Sequence, residues 1–259
     1  MRAKQYIAGS AEQAMGWQQA LRRELFTALK LADLLRHGAA GPLDPQVLSE
    51  TEYDGYCHRE LEINSTPGRR IPVILTLPLA AAGAAPAVVC IHGHGGDRYS
   101  AYDSASIYKG FARSLAAQGY VTIAADVGQH EVFEEERLLM GERLWDLWRC
   151  VDYLESLPQV DAGRIGCGGL SLGGEMAMWL GAMDGRMPPA HGRDAIVRDI
   201  ISKLERPGAA ILLVGRSGAG KTAIIYEVVR RLAAMGRSLT ERTDVWAIDS
   251  NRFIAGMSF

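Results

Sequence analysis

Arg164-Ile165-Gly166-Cys167-Gly168-Gly169-Leu170-Ser171-Leu172-Gly173-Gly174-Glu175-Met176-Ala177-Met178-Trp179 is the stretch on which the reading of this 259-residue chain turns. A short strand-like run leads into Gly169-Leu170-Ser171-Leu172-Gly173, and an apolar helix pattern follows to about Met183. G-x-S-x-G between a strand and a helix is the pattern of a nucleophile elbow, a tight turn that holds a serine hydroxyl at the end of a sheet. The glycines let the backbone turn sharply and let the helix pack closely. The helix N-terminal amides then face the place where an oxyanion would form.

Working outward, Ala87-Val88-Val89-Cys90-Ile91 reads as a strand buried on both faces, and His92-Gly93-His94-Gly95-Gly96 follows it. Further strands are expected at 120–125 and 164–168, with helices at 104–118, 139–157 and 171–183. Upstream, apolar residues at helical spacing (Trp17, Leu21, Leu25, Leu29) predict one long or two short helices over 11–37. Two strand-like stretches at 56–63 and 71–77, joined through Pro67-Gly68, read as a hairpin. The strand–helix alternation predicts an α/β fold with a mostly parallel sheet flanked by helices. The acidic run Glu131, Glu134, Glu135, Glu136 reads as a solvated connection, with a substrate-covering role as the alternative.

A second motif lies past a Pro-Pro linker at 184–192. Gly215-Arg216-Ser217-Gly218-Ala219-Gly220-Lys221-Thr222 is a G-x-x-x-x-G-K-T phosphate loop. In such a loop backbone amides surround the phosphates, Lys221 reaches the terminal phosphates and Thr222 can ligate magnesium. A helix at 194–204, a strand at 210–214, a helix at 222–234 and a strand at 244–248 are expected around it. The charge changes sign at the same place: residues 1–187 carry 17 Lys+Arg and 23 Asp+Glu, residues 188–259 carry 11 and 7. Three segments follow: an N-terminal helical segment 1–50, a core 51–187 and a phosphate-loop module 188–259. The 210–214 strand is expected to add in parallel beside the 164–168 strand, since an uncovered apolar edge invites aggregation.

On these residues, 15–185 resemble the α/β-hydrolase superfamily, in particular serine hydrolases like dienelactone hydrolase and acetyl xylan esterase. The resemblance implies Ser171 as nucleophile, the backbone amides of Leu172 and His94 as oxyanion hole, and small carboxylic esters as substrates. Residues 188–259 resemble the start of a Clp-type AAA+ ATPase domain, so the second part reads as a partial P-loop nucleoside triphosphatase. That resemblance rests on His191-Gly192-Arg193-Asp194, Gly220-Lys221-Thr222-Ala223-Ile224, Trp246-Ala247-Ile248-Asp249 and Ala255-Gly256-Met257. It implies ATP with magnesium as the cofactor. The binding set would be Gly215, Ser217, Gly218, Ala219, Gly220, Lys221 and Thr222, with His191 and Gly192 by the adenine and Thr222 on the metal.

Both resemblances are partial. The hydrolase family supplies its acid and histidine after the elbow helix, and the only histidine after Ser171 is His191. A 13-residue helix carries the chain about 20 Å, toward the opposite rim. Losing the histidine of a serine protease costs on the order of 10⁶ in turnover, so efficient ester hydrolysis is not expected. The Walker B carboxylates, sensor and arginine finger are also missing; nucleotide binding is expected, hydrolysis is not. Three readings stand: a hydrolase-like domain with an incomplete triad, a nucleotide-binding module on an inactive hydrolase scaffold, and a chimeric or truncated product without evolved activity.

Bulk properties narrow the class. A 48% hydrophobic, 22% charged composition is that of an ordinary globular protein. Cys57, Cys90, Cys150 and Cys167 have no metal-ligand spacing and read as reduced core residues, hence a cytoplasmic expectation. No signal sequence and no run of about 18 apolar residues is present, so no membrane span is expected. No basic cluster with interleaved aromatics points to nucleic acid.

Overall fold

The computed structural model describes residues 11–36, 41–80, 83–128, 131–186, 194–204 and 221–234. The chain divides into two compact units, Gln19–Pro188 and a second comprising Met1–Gln18 with Pro189–Phe259. The strands expected at 210–214 and 244–248, and therefore the shared-sheet arrangement, fall outside the described residues.

The first unit is built on one six-stranded sheet: β1 (Gln46–Tyr53), β2 (Tyr56–Asn64), β3 (Arg70–Pro78), β4 (Ala85–Ile91), β5 (Val121–Ala125) and β6 (Val160–Gly169), in the order β1-β2-β3-β5-β4-β6. The pairs β1–β2, β2–β3 and β3–β5 are antiparallel; β4–β5 and β4–β6 are parallel. The expected mostly parallel sheet is therefore corrected to a mixed one. Its first three strands are joined by hairpins, through Asp54-Gly55 and through Pro67-Gly68. Tight turns can only return the chain antiparallel. The N-terminal boundary at residue 50 falls inside β1, so residues 46–50 belong to the sheet and not to a helical segment.

Alternation along the central strands sorts the helices onto two faces. Val89 and Ile91 of β4 and Ile123 of β5 join the main core with Leu144, Leu147, Val151 and Leu154 of α3 (Leu139–Ser156) and Met176 and Leu180 of α4 (Leu172–Met183). Val88, Cys90 and Ala124 face the other way, onto Ala112 and Leu115 of α2 (Phe111–Ala117). Period-two side-chain direction with both faces covered explains why these strands are uniformly apolar.

Helix α1 (Ala11–Ala28) stops nine residues short of the expected end. Lys30 turns into the left-handed region (φ 56), and the Leu31 amide bonds back to the Phe26 carbonyl. Phe26, Leu29, Leu31 and Leu34 are thereby folded into the core. The expected helix 104–118 is shortened to α2 for a related reason. Asp103 accepts from the Ala105 amide and the Ser106 hydroxyl, and Gly110 adopts φ 61, so helix begins only at Phe111.

The Pro67-Gly68 turn is pinned to α3 by a buried polar network. Ser65 Oγ donates to Asp146 Oδ1 at 2.5 Å, and Arg69 donates to both Asp146 oxygens at 3.0 and 2.6 Å. Arg69 also reaches Glu134 at 3.1 Å, where Thr66 donates as well. Glu142 accepts the amides of Phe133 and Glu134. The acidic run is thus not simply solvated: Glu134 anchors the connection after β5. Burial pushes the Asp146 carboxyl above the usual carboxylate range, against the hydrogen bonds and charge of Arg69.

In the second unit α5 (Asp194–Leu204) and α6 (Lys221–Ala234) pack through Val197, Ile200 and Ile201 against Ile224 and Val228. No helix among the described residues is long and apolar enough to cross a membrane.

Removing one partner of a buried ion pair leaves the other charge uncompensated. Arg69→Met is expected to lower unfolding free energy by about 3–5 kcal/mol. Without Arg69 the Asp146 carboxyl, already raised by burial, rises further, so its ionisation costs the variant more than the parent and the loss grows as pH climbs from acid to neutral. Asp33→Asn, which breaks an exposed pair with Arg137, should cost at most about 1 kcal/mol. Urea titrations at several pH values read both; equal midpoints for Arg69→Met and the parent would contradict the network's role.

Candidate active site

Strands β4 and β6 run in parallel with Ile91 beside Gly169, so the segments that follow them leave from one rim. Ser171 follows β6 and caps the N-terminus of α4, with φ 57 and ψ −122. A non-glycine residue held there carries of order 1–3 kcal/mol of strain, and such strain persists only where the surroundings enforce it. Here the Gly173 amide donates to the Leu170 carbonyl at 2.9 Å and the Glu175 amide to the Ser171 carbonyl at 3.0 Å. The Ser171 side chain is exposed at the rim.

The flanking glycines are required by contact. A Cβ on Gly169 would lie 2.6 Å from the Ile91 carbonyl oxygen. One on Gly173 would lie 2.6 Å from the His92 carbonyl and closer still to that of Ile91. Gly93 is equally constrained: its Cβ would sit 2.6 Å from the Leu170 carbonyl and 3.2 Å from Ser171 Cβ. The loop after β4 therefore lies directly against the elbow, with His94 one residue farther along.

His92 is a structural residue. It is fully buried, accepts the Val127 amide at Nε2 (2.9 Å), and its Nδ1 lies 2.8 Å from the Gly93 carbonyl. An imidazole that accepts at Nε2 carries its proton on Nδ1, which then donates to that carbonyl. Both nitrogens are spent on backbone, so His92 cannot take a proton from serine. Its ring is wedged between Gly96 and Gly128, where a Cβ would come within 3.1 and 3.0 Å of it.

The loop is fixed at its far end too. Asp97 Oδ1 accepts the amides of Tyr99 and Ser100 and the Ser100 hydroxyl. The Arg98 amide and guanidinium both donate to Asp126, just past β5, at 2.6 and 2.7 Å. At this rim a cavity of about 290 Å³ is lined by Arg69, Arg70, Ile71, Pro72, Asp126, Phe133 and Asp146.

His58 pairs with Thr76, which pairs with Thr122 at the start of β5. It therefore sits at the opposite rim from Ser171, between the rings of Tyr53 and Tyr102, where burial lowers its pKa. Among the described residues no side chain hydrogen-bonds the Ser171 hydroxyl. His191 and Gly192 lie outside the described residues, as do Gly215, Ser217, Gly218, Ala219 and Gly220. Lys221 and Thr222 open α6. All four cysteines are free, and no cluster of His, Cys, Asp or Glu able to hold a metal occurs among the described residues. Motif reading did not find the Asp97 turn, the Arg98–Asp126 clamp or Tyr108 beside Gly93. These are long-range or side-chain-to-backbone contacts without a fixed spacing.

Residues 71–209 match the model of the dienelactone hydrolase family. The match runs past the junction expected near residue 187 and includes α5. The protein named as a hydrolase, YtaP, of Bacillus subtilis is 28% identical over 166 residues, covering 56% of this chain and 55% of that protein. A Bacteroides fragilis protein described as an acetyl xylan esterase superposes with TM-score 0.57 at 19% identity, over 69% of this chain and 52% of that one. Methylesterase BT1017 superposes with TM-score 0.56 at 21% identity, over 70% and 41%. The chain thus spans about half the length of these relatives. They support the hydrolase part of the expectation and lend nothing to the AAA+ part.

Proposed function

We propose that this chain, which belongs to the dienelactone hydrolase family, carries a serine acyl-transfer site for small carboxylic esters. The observation that carries the reading is the strained Ser171 backbone at the rim, wedged against Gly93. In this reading Ser171 Oγ attacks the ester carbonyl carbon. The carbonyl π pair moves to oxygen, and the amides of Leu172 and His94 donate to that oxyanion. Such donors act in place, without reorganisation, which is why each contributes strongly to acyl transfer.

The hydroxyl proton needs an imidazole to receive it. His92 is excluded by its two backbone hydrogen bonds and His58 by its position at the opposite rim. His37, His94, His130 and His191 are the histidines left to assign. Ordinary serine nucleophilicity without a paired base gives slow acylation, so stoichiometric labelling is the more sensitive assay than turnover.

A second reading concerns the phosphate loop. Helix α6 begins at Lys221, immediately after G-x-x-x-x-G, where a phosphate-binding helix would start. On this reading Gly215, Ser217, Gly218, Ala219, Gly220 and Lys221 hold the phosphates of ATP, Thr222 holds magnesium, and His191 and Gly192 border the adenine.

A fluorophosphonate probe should attach to Ser171 in the full chain, and Ser171→Ala should abolish attachment. A label that survives Ser171→Ala would refute the acyl-transfer reading. Separate His→Ala changes at 37, 94, 130 and 191 should identify the base by a labelling rate reduced at least about tenfold. For the phosphate loop, Mg-ATP should raise the Tm of the parent and leave that of Lys221→Ala unchanged. Equal shifts, or none in the parent, would refute nucleotide binding there.

A further inference from the structure

We infer that Tyr108 is a further oxyanion donor of this site, contacting the substrate carbonyl oxygen through its phenolic O–H. The inference rests on the acyl-transfer reading of Ser171. Tyr108 lies in the connection between the loop after β4 and α2, and its residue is 92% buried, with 8% exposure. Its Oη accepts the Gly93 amide at 2.6 Å. That is its one side-chain hydrogen bond among the described residues, and in it Tyr108 is the acceptor. A phenol has one proton to give as well as lone pairs to receive. Here the proton is unspent in a buried setting, where such groups are normally paired.

The place of that hydroxyl oxygen is informative. A single point, the Cβ position of Gly93, is 3.0 Å from Tyr108 Oη, 3.2 Å from Ser171 Cβ and 2.6 Å from the Leu170 carbonyl. Tyr108 Oη and Ser171 Cβ are therefore no farther apart than the sum of the first two distances. Glycine at position 93 lets the Tyr108 hydroxyl, the Leu170 carbonyl and Ser171 close on one another, since a Cβ there would press on all three. The Leu170 carbonyl that borders it already accepts the Gly173 amide. An ester carbonyl oxygen brought to Ser171 would enter a region bounded by the Leu172 amide, the loop carrying Gly93 and His94, and the Tyr108 hydroxyl.

In the reaction the Oγ–carbon bond forms, the carbonyl π pair passes to oxygen, and the serine proton goes to the base that the histidine substitutions above are to identify among His37, His94, His130 and His191. Tyr108 keeps its own proton throughout and donates a hydrogen bond that strengthens as negative charge develops. Accepting the Gly93 amide makes the phenol a stronger donor, because hydrogen bonds in a chain polarise one another. A donor of this kind stabilises the tetrahedral state more than the planar ester, so it acts on kcat and not on KM.

The test compares the parent, Ser171→Ala and Tyr108→Phe, each as the full chain. The rate constant for fluorophosphonate attachment to Ser171 should fall about a hundredfold in Tyr108→Phe, the usual cost of one oxyanion donor. Affinity for a trifluoromethyl ketone, which forms a tetrahedral adduct with serine, should fall with it. Affinity for the corresponding unreactive alcohol should stay within about twofold, a split that general loosening of the loop would not produce. Tyr108→p-aminophenylalanine keeps both an acceptor for Gly93 and a donor, and should restore most of the rate even if Tyr108→Phe folds poorly. Labelling of Tyr108→Phe at the parental rate, or an equal fall for ketone and alcohol, would overturn the inference while leaving the role of Ser171 intact. A parent that is not labelled at Ser171 would overturn both.

Discussion

The approach of two backbones governs this rim. The Ile91–His92 carbonyls press so closely on the elbow that positions 169 and 173 have no room for a Cβ. That contact fixes the turn between β6 and α4 and forces Ser171 into a left-handed backbone. It also sets the start of the loop after β4, so that Gly93 meets Leu170 and Ser171. A serine in relaxed backbone would not be driven out to the rim; the strain is the consequence of packing, held by the core beneath it. Val89, Ile91, Ile165 and Met176 are all buried there, so the strained turn rests on close-packed apolar side chains.

Polar groups extend this order sideways along the rim. His92 joins the loop after β4 to the segment after β5 through Val127, and Arg98 repeats the connection through Asp126. Farther on, the Ser65–Asp146–Arg69–Glu134 network ties the β2–β3 turn to α3 and to the connection after β5. Buried networks of this kind are costly when incomplete and specify one arrangement when complete. They leave the rim with a serine held in a strained turn, a glycine loop packed against it and a lined cavity.

The sequence carried the centre of this fold well and its margins poorly. Helices at 139–156, 172–183 and 194–204 and the central strands were legible because burial imposes a strong apolar pattern on them. Strand β1 was not, because all eight of its residues are exposed and Gln46-Val47-Leu48-Ser49-Glu50-Thr51-Glu52-Tyr53 shows no clean alternation. Helix ends at 28 and 111 were set by Lys30 and Gly110 backbone conformations and by Asp103, features that periodicity does not report. At the site, G-x-S-x-G announced the elbow because its glycines are required by contact. Nothing in the sequence marked the two backbone hydrogen bonds of His92, since a histidine so held looks no different in sequence from a base. Tyr108 meets Gly93 across fifteen residues of loop, a distance over which no spacing rule operates.

The Gly173 contact with the Ile91–His92 backbone sets the strained Ser171 geometry on which the proposed acyl transfer depends. Gly173→Ala and Gly168→Ala separate this from a general intolerance of substitution, since a Cβ at Gly168 meets nothing within 4 Å. The measurement is the rate of fluorophosphonate attachment to Ser171, with urea stability read in parallel. Gly173→Ala should lose labelling and at least about 1–3 kcal/mol of stability, the usual cost of overpacking, while Gly168→Ala should retain both. Parental labelling in Gly173→Ala would contradict the account.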